Sequence, residues 1–439
     1  MAMTSNPRTL PSSRWSSYDP WGYGSMKERL QDTISKLDTS FLVDHAERIL
    51  GQPVTLSKQF SAGQYWICFE LVAANEGLVI ARVRLPRHPD MPASLSDEDE
   101  QYSINCEVAT MKYVRKKLPA VKLPQVYAYE APGSLRASSV GAAYMLLEGF
   151  YGNTLQDVTF DICSLAISTQ VHIITQWTSA QAEIATLAFA CIGSISSISE
   201  NGEPVLGRLA SAPIEGLNSS GPFSSTTEYF VTIADSAAAK ARPLDSNPSD
   251  PSYWATMGTF VFQDIVHNTP LYHVTGEESF PLNHMDLGTQ NILIDEDYNF
   301  LAIIDWEFAQ TAPWPVNYYP MPFSLTWPDA KTQTILQDTA HLAHKNISKQ
   351  DAAQKMYVQK FKDAETQLQE QGRKLVGSFA DVFDRPPSRI YACFTRLGRL
   401  PTADEDMVRT MVQLAFACGS EETEAYLETI KAKASAKGS

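Results

Sequence analysis

The stretch His284-Met285-Asp286-Leu287-Gly288-Thr289-Gln290-Asn291 runs on through Ile292-Leu293-Ile294, the polar turn Asp295-Glu296-Asp297-Tyr298-Asn299, and Phe300-Leu301-Ala302-Ile303-Ile304 to Asp305-Trp306-Glu307. Two short apolar runs around a turn read as an antiparallel hairpin. The first run starts directly after Asn291 and the second ends at Asp305, so pairing returns Asp305 beside Asn291 at one end of the hairpin. An amide oxygen and a carboxylate converge there, both hard ligands of the kind Mg²⁺ takes together with water and phosphate oxygens. Asp286 lies on the preceding loop, where it can face the same cleft and accept a proton from an attacking hydroxyl. The geometry expected is that of phosphoryl transfer, with Asn291 and Asp305 as metal ligands and Asp286 as base. A merely capped turn with solvated Asp and Asn would not require an acid at the far end of the second strand.

Working outward toward the N-terminus, Tyr65 to Leu71 and Leu78 to Arg82 alternate apolar and polar residues around the turn signal Asn75-Glu76-Gly77 and read as a hairpin. Arg82 has the parity of Leu78 and Ile80, which sets a cation on a face that otherwise looks inward and therefore needs an anion. Glu107 is the candidate, at the edge of the apolar face Ile104, Val108 and Met111 of a helix expected from about Ser103 to Leu118. The acidic run Asp97 to Glu100 is expected as the loop before it. Met26 to Gly51 reads as one helix, and Val126 to Tyr129 and Tyr144 to Leu147 read as strands. A lobe boundary is expected near Gly149. Beyond it the pattern is mainly helical, with a loop-rich insertion from Gly202 to Asp250 and long helices over Asp351 to Leu375 and Met407 to Ala432. The division expected is a leader over 1–25, a nucleotide-binding lobe over 26–148, a helical lobe over 149–430 and a frayed tail over 431–439.

Composition narrows the function classes. With 44% hydrophobic and 19% charged residues over 439 positions, the chain suits packed domains, two or three at a prior of about 150 residues each. A formal charge of −15 repels phosphate backbones and anionic membrane surfaces, so neither nucleic acid nor a membrane is the expected partner. The six cysteines show no paired metal or redox spacing, and no apolar run is long enough to cross a bilayer. A cytoplasmic protein is expected. The Ser-rich, acid-free segment before Asp19, with Arg8 and Arg14, keeps a mitochondrial transit peptide as the alternative.

With these residues in view, the chain resembles the aminoglycoside phosphotransferase and choline kinase superfamily, in its fungal phosphotransferase branch, over about Ser57 to Pro320. The resemblance implies an α+β, bilobal protein-kinase-like fold, with a small antiparallel-sheet N-lobe and a larger, mainly helical C-lobe. It implies an ATP- and Mg²⁺-dependent kinase that phosphorylates a hydroxyl on a small-molecule metabolite. Asp286 corresponds to the catalytic base, Asn291 and Asp305 to the magnesium ligands, and His284 to a residue that supports the catalytic loop. Arg82 stands where the family's phosphate-anchoring Lys stands, with Glu107 as its partner. Gly63, in Ser61-Ala62-Gly63-Gln64-Tyr65, falls where a flexible loop covers the phosphates. Leu147 and Gly149 fall at the hinge, where backbone groups would bond adenine. Trp314, Tyr318, Tyr319 and Trp327 follow Asp305 and are candidates for the acceptor pocket or for core. Acidic residues around that pocket would favour a cationic amine as acceptor. The rival function is a catalytically inactive nucleotide-binding module, which Arg82 and the single-Gly loop suggest.

Overall fold

The computed structural model describes residues 9–13, 26–63, 65–88, 91, 95–244, 250–323, 325, 329–399 and 401–437. Gln64, Trp327 and most of the leader, including Arg8 and Arg14, lie outside the described residues. Contacts divide the chain into two units. The first comprises Met1–Phe160, Ile195–Val205 and Asp286–Phe308; the second comprises Asp161–Ser194, Leu206–Met285 and Ala309–Ser439. The hairpin after Asn291 thus groups with the N-terminal sheet, whereas the sequence reading sets a single break near Gly149.

In the first unit, strands β1 (Val54–Ala62), β2 (Trp66–Ala73), β3 (Leu78–Arg84), β4 (Val126–Glu130) and β5 (Tyr144–Glu148) form an antiparallel sheet of order β1-β2-β3-β5-β4. Alternation decides what each face does. Ile67, Phe69, Leu71, Ala81 and Val83 turn to one side and pack a core with Met26 and Leu30 of α1 (Met26–Lys36) and Leu42 and Ala46 of α2 (Ser40–Leu50). The alternate residues are left for the opposite face. The single helix expected over Met26–Gly51 is therefore two. Leu37 to Thr39 break it, with the Asp38 N–H donating to the Val140 carbonyl and the Asp38 carboxylate accepting from the Ser40 N–H and hydroxyl.

Helix α3 spans Asp97–Lys117, so the acidic run is its first turn and not a preceding loop. Ser96 explains the difference. Its hydroxyl accepts from the Asp99 N–H and the Asp99 carboxylate accepts from the Ser96 N–H, a capping box that places four acids at the positive end of the helix dipole.

The second unit is mainly helical, which with the sheet of the first makes the chain α+β. The insertion expected to be loop-rich contains the helix Thr226–Lys240, capped by Ser225 accepting from the Glu228 N–H. The long helix expected at the C-terminus is two, Pro401–Phe416 and Ser420–Lys437, separated at Ala417, whose φ is +50°, and the expected tail continues the second of them as far as Lys437. Trp314 packs edge-on to Phe379, Tyr319 stacks on Phe383, and Tyr318 meets Tyr391 edge-on. No described helix is long and apolar enough to cross a membrane.

Candidate active site

Arg82 and Arg84 leave β3 on the same face and stand two residues apart, each reaching in two directions. Arg82 donates from Nη1 to Glu107 Oε1 at 2.6 Å and from Nη2 to Asp305 Oδ1 at 3.2 Å. Its guanidinium lies 4.8 Å from the ring centre of Trp66. Glu107 is fully buried, and its Oε2 has no hydrogen-bond partner among the described residues. Burial works against the charge on Arg82, but the carboxylates of Glu107 and Asp305 outweigh it and hold the guanidinium above its ordinary range. Burial pushes the Glu107 carboxyl up, against the pull of Arg82.

One step along the strand the pattern repeats. Arg84 donates to Glu100 Oε1 from Nη2 at 2.6 Å and from Nε at 3.1 Å, and its Nη1 is 3.6 Å from Glu307 Oε1. Glu100 and Glu107 are two helical turns apart on α3, so the same helix face serves both arginines. Burial raises the Glu307 carboxyl to about 7, with Arg84 opposing. Trp66 lies under both guanidinium groups, 5.0 Å from Arg84.

The expected hairpin forms, with a register shift between Leu293 and Ile294. Ile292 pairs with Ile303 and Leu293 with Ala302, and the Ile304 N–H donates to the Asn291 carbonyl at 2.9 Å. Asp305 follows with φ +64°, a left-handed conformation that Asp tolerates better than most residues and that ends the strand. The loop before the hairpin is tied to itself. Asn291 Nδ2 donates to the Asp286 carbonyl at 2.7 Å and to Asp286 Oδ2 at 3.0 Å, and Gln290 Nε2 donates to Asp286 Oδ1 at 3.2 Å. Asp286 is exposed; Asn291 is buried. With its Nδ2 committed to Asp286, Asn291 keeps Oδ1 as its acceptor.

A cavity of about 580 Å³, lined by the first unit alone, contains Gly63, Arg82, Leu147, Gly149, Asn291 and Asp305 in its walls. Its size is that of a small-molecule site. Glu107 and Asp286 are not part of this lining; they bond to Arg82 and Asn291 respectively. Apolar lining comes from Trp66, Ile80, Met111, Leu293 and Ile304. The hinge expectation needs a correction at Gly149. Its N–H already donates to the Leu78 carbonyl at 2.8 Å and is not available to a base, and a Cβ there would lie 2.6 Å from Leu78 Cγ. Close packing of the two strands therefore accounts for this glycine. Gly63 has open space around it, so no steric demand fixes glycine there. His284 is buried in the second unit and is not part of the cavity wall.

Sequence reading missed three members of the site. Trp66 and Arg84 share the face of Arg82: Trp66 lies within the first strand as read, opposite Arg84, which follows Arg82 by two residues and so keeps its parity. Pro11 also lines the cavity, held by Ser12, whose N–H and hydroxyl donate to the two oxygens of the fully buried Glu70 at 3.1 Å and 2.9 Å. No signal in the leader pointed to that contact.

No family model and no curated protein matches the chain. Among solved structures, it is similar to a protein assigned as a fructosamine-3-kinase from Thermobifida fusca, at 12% identity over 86% of this chain and 97% of the other, with a TM-score of 0.42. It is also similar to a macrolide 2′-phosphotransferase type I, at 11% identity over 86% and 96% of the two chains, TM-score 0.40. A third is the macrolide 2′-phosphotransferase of Brachybacterium faecium, at 13% identity over 90% and 97%, TM-score 0.39.

Proposed function

We propose that the protein is a kinase-like phosphotransferase that moves the γ-phosphoryl group of ATP to a hydroxyl of a small molecule. The observation that carries this reading is the convergence, on one cavity, of a carboxylate-backed guanidinium from the sheet with an amide and a carboxylate from the hairpin. Arg82, held by Glu107, supplies charge for nucleotide phosphates; the Nη2 now on Asp305 is the side a phosphate oxygen would engage. Asp286 accepts the acceptor's hydroxyl proton as the new O–P bond forms and the bond to the β-phosphate oxygen breaks, releasing ADP. The loop that bonds Asp286 to Asn291 fixes the base relative to the hairpin.

The donor set fits Mg²⁺ of the substrate-bridging type. One carboxylate and one amide oxygen are too few for a closed structural site, and no cluster of three acids, histidines or cysteines suited to a metal occurs among the described residues. Asn291 and Asp305 would hold the ion, which would neutralise phosphate charge.

The second reading, a nucleotide-binding module without turnover, draws on the engagement of Arg82 by carboxylates on both sides. Incubation with ATP, Mg²⁺ and a broad metabolite mixture, read by mass spectrometry for phosphate gain, separates the two. A phosphorylated species should form. Asp286→Asn should slow its formation by about 10²–10⁴-fold with nucleotide affinity kept; an unchanged rate would remove Asp286 from the mechanism.

A further inference from the structure

Glu70 is a buried carboxylate whose only hydrogen bonds, among the described residues, come from the leader. Trp66, Cys68 and Glu70 alternate along β2 with Ile67, Phe69 and Leu71, so they leave the strand on the face away from the core made with α1 and α2. Trp66 and Cys68 line the cavity, and so does Ile80, which stands opposite Glu70 in the strand pairing. A carboxylate on such a face is normally left to water. Glu70 is instead fully covered: the Ser12 N–H donates to Oε2 at 3.1 Å and the Ser12 hydroxyl to Oε1 at 2.9 Å. Both of its oxygens are spent on one residue 58 positions away. The leader reaches it through a tight turn, in which the Ser13 N–H donates to the Leu10 carbonyl at 3.0 Å and Pro11, with its fixed φ, takes the first helical position. That turn sets Ser12 on Glu70 and Pro11 in the cavity wall.

This contact differs from the buried pairs of Arg82 and Arg84 in how it can come apart. Neither Leu10 nor Pro11 belongs to the apolar core of the sheet, so the docking of the turn leans on the two bonds to Glu70. When the turn lifts, Glu70 is opened to solvent and exchanges its two donors for water, and no charge is left stranded. An element held in this way has a docked and an undocked state, and a ligand that meets the docked state better shifts the balance toward it. Pro11 gives a ligand that contact. We infer that Leu10–Ser13 is a latched lid on the cavity: Ser12 on Glu70 is the latch, and Pro11 is the part of the lid that meets the bound molecule and retains it. Ser12 and Glu70, neither of which lines the cavity, are then positioning residues. The inference rests on the proposed function only in taking that molecule to be ATP.

Cys68 reports on the lid, since it lines the cavity two residues from Glu70, and Cys106, buried in α3 of the same unit, reports on the fold. Peptide-resolved alkylation of the full chain at pH 8 compares wild type with Ser12→Asp, which repels Glu70, and with Glu70→Leu, which removes the acceptor. Cys68 should label about tenfold or more faster in both variants, with Cys106 at the wild-type rate. The acid added in Ser12→Asp would by itself keep the Cys68 thiol protonated and slow its labelling, so a gain there reports opening and not charge. Calorimetry with ATP and Mg²⁺ should show binding to Glu70→Leu weakened about threefold to tenfold, although loss of an acid by itself favours a polyanion. No gain at Cys68 in either variant, equal gains at Cys68 and Cys106 in both, or wild-type ATP affinity in Glu70→Leu would overturn the inference. A latch-dependent Cys68 rate in a protein that binds no ATP would instead keep the lid and remove the nucleotide reading.

Discussion

Arg82 and Arg84 are near-copies in chemistry and differ in use. Each leaves the same face of β3, stacks on Trp66, takes one acid from α3 and reaches one acid of Asp305-Trp306-Glu307. The difference lies in the second acid. Asp305 lines the cavity and is 39% exposed, while Glu307 is 2% exposed and outside the cavity wall. A guanidinium held between a buried acid and an accessible one can exchange the accessible partner for a ligand anion. One whose cavity-distant acid is buried has no such freedom, and its bonds serve to fasten sheet, helix and hairpin segment together. Side-chain type alone therefore does not separate a binding arginine from a structural one; the exposure of its second partner does.

Substitutions can break that contrast. Arg82→Met should have the largest effect, because it strands Glu107 in the interior at a cost of about 3–5 kcal/mol and removes the proposed phosphate anchor; denaturant melts and ATP titration would both register it. Arg84→Met should lower stability at or below the small end of that range, about 3 kcal/mol, since Glu307 can shed its charge by taking a proton near neutrality, and ATP affinity should stay as in the wild type. Equal loss of ATP affinity in the two variants would contradict the division of roles. Trp66→Leu should cost both arginines their stacking, about 0.5–2 kcal/mol in melts, without abolishing nucleotide binding.

The smallest effect sharpens the same face. Cys68 stands opposite Arg82 in the strand pairing and lines the cavity, and burial pushes its thiol up to about 11. The reactive thiolate appears only as pH rises toward that value, so alkylation at pH 8 should be slower than for an ordinary cysteine and should accelerate on going to pH 10. Bound ATP should slow it further, read by intact mass; fast labelling at pH 8 would mean that the face is more open than the structure has it.

What was legible in the sequence follows the range of the interactions. The hairpin, and with it the placing of Asn291 and Asp305 at one end of it, depends on a turn and two adjoining strands and could be read directly, whereas the register shift between Leu293 and Ile294 could not. The Arg82–Glu107 pair followed from strand parity and helix spacing. The Arg82–Asp305 bond joins residues 223 positions apart, and no local pattern encodes it. Helix interruptions at Leu37–Thr39 and Ala417 were missed because helical spacing of apolar residues continues across both breaks. The helix Thr226–Lys240 was missed although Ser225 and Glu228 spell a capping signal, since the surrounding Gly, Pro and Ser outweighed it. Four of the six positions from Ala234 to Ala239 are alanine and carry little hydrophobic signal.

On the function proposed above, the cavity between β3 and the hairpin takes nucleotide, with Asp305 taking part through Mg²⁺. Calorimetric titration of ATP with and without Mg²⁺, on wild type and on Asp305→Asn, addresses it most directly. Binding tightened by Mg²⁺ in the wild type, with that tightening lost in Asp305→Asn, is the predicted result. ATP affinity indifferent to Mg²⁺, or a Mg²⁺ response that survives the loss of the Asp305 carboxylate, would contradict the account.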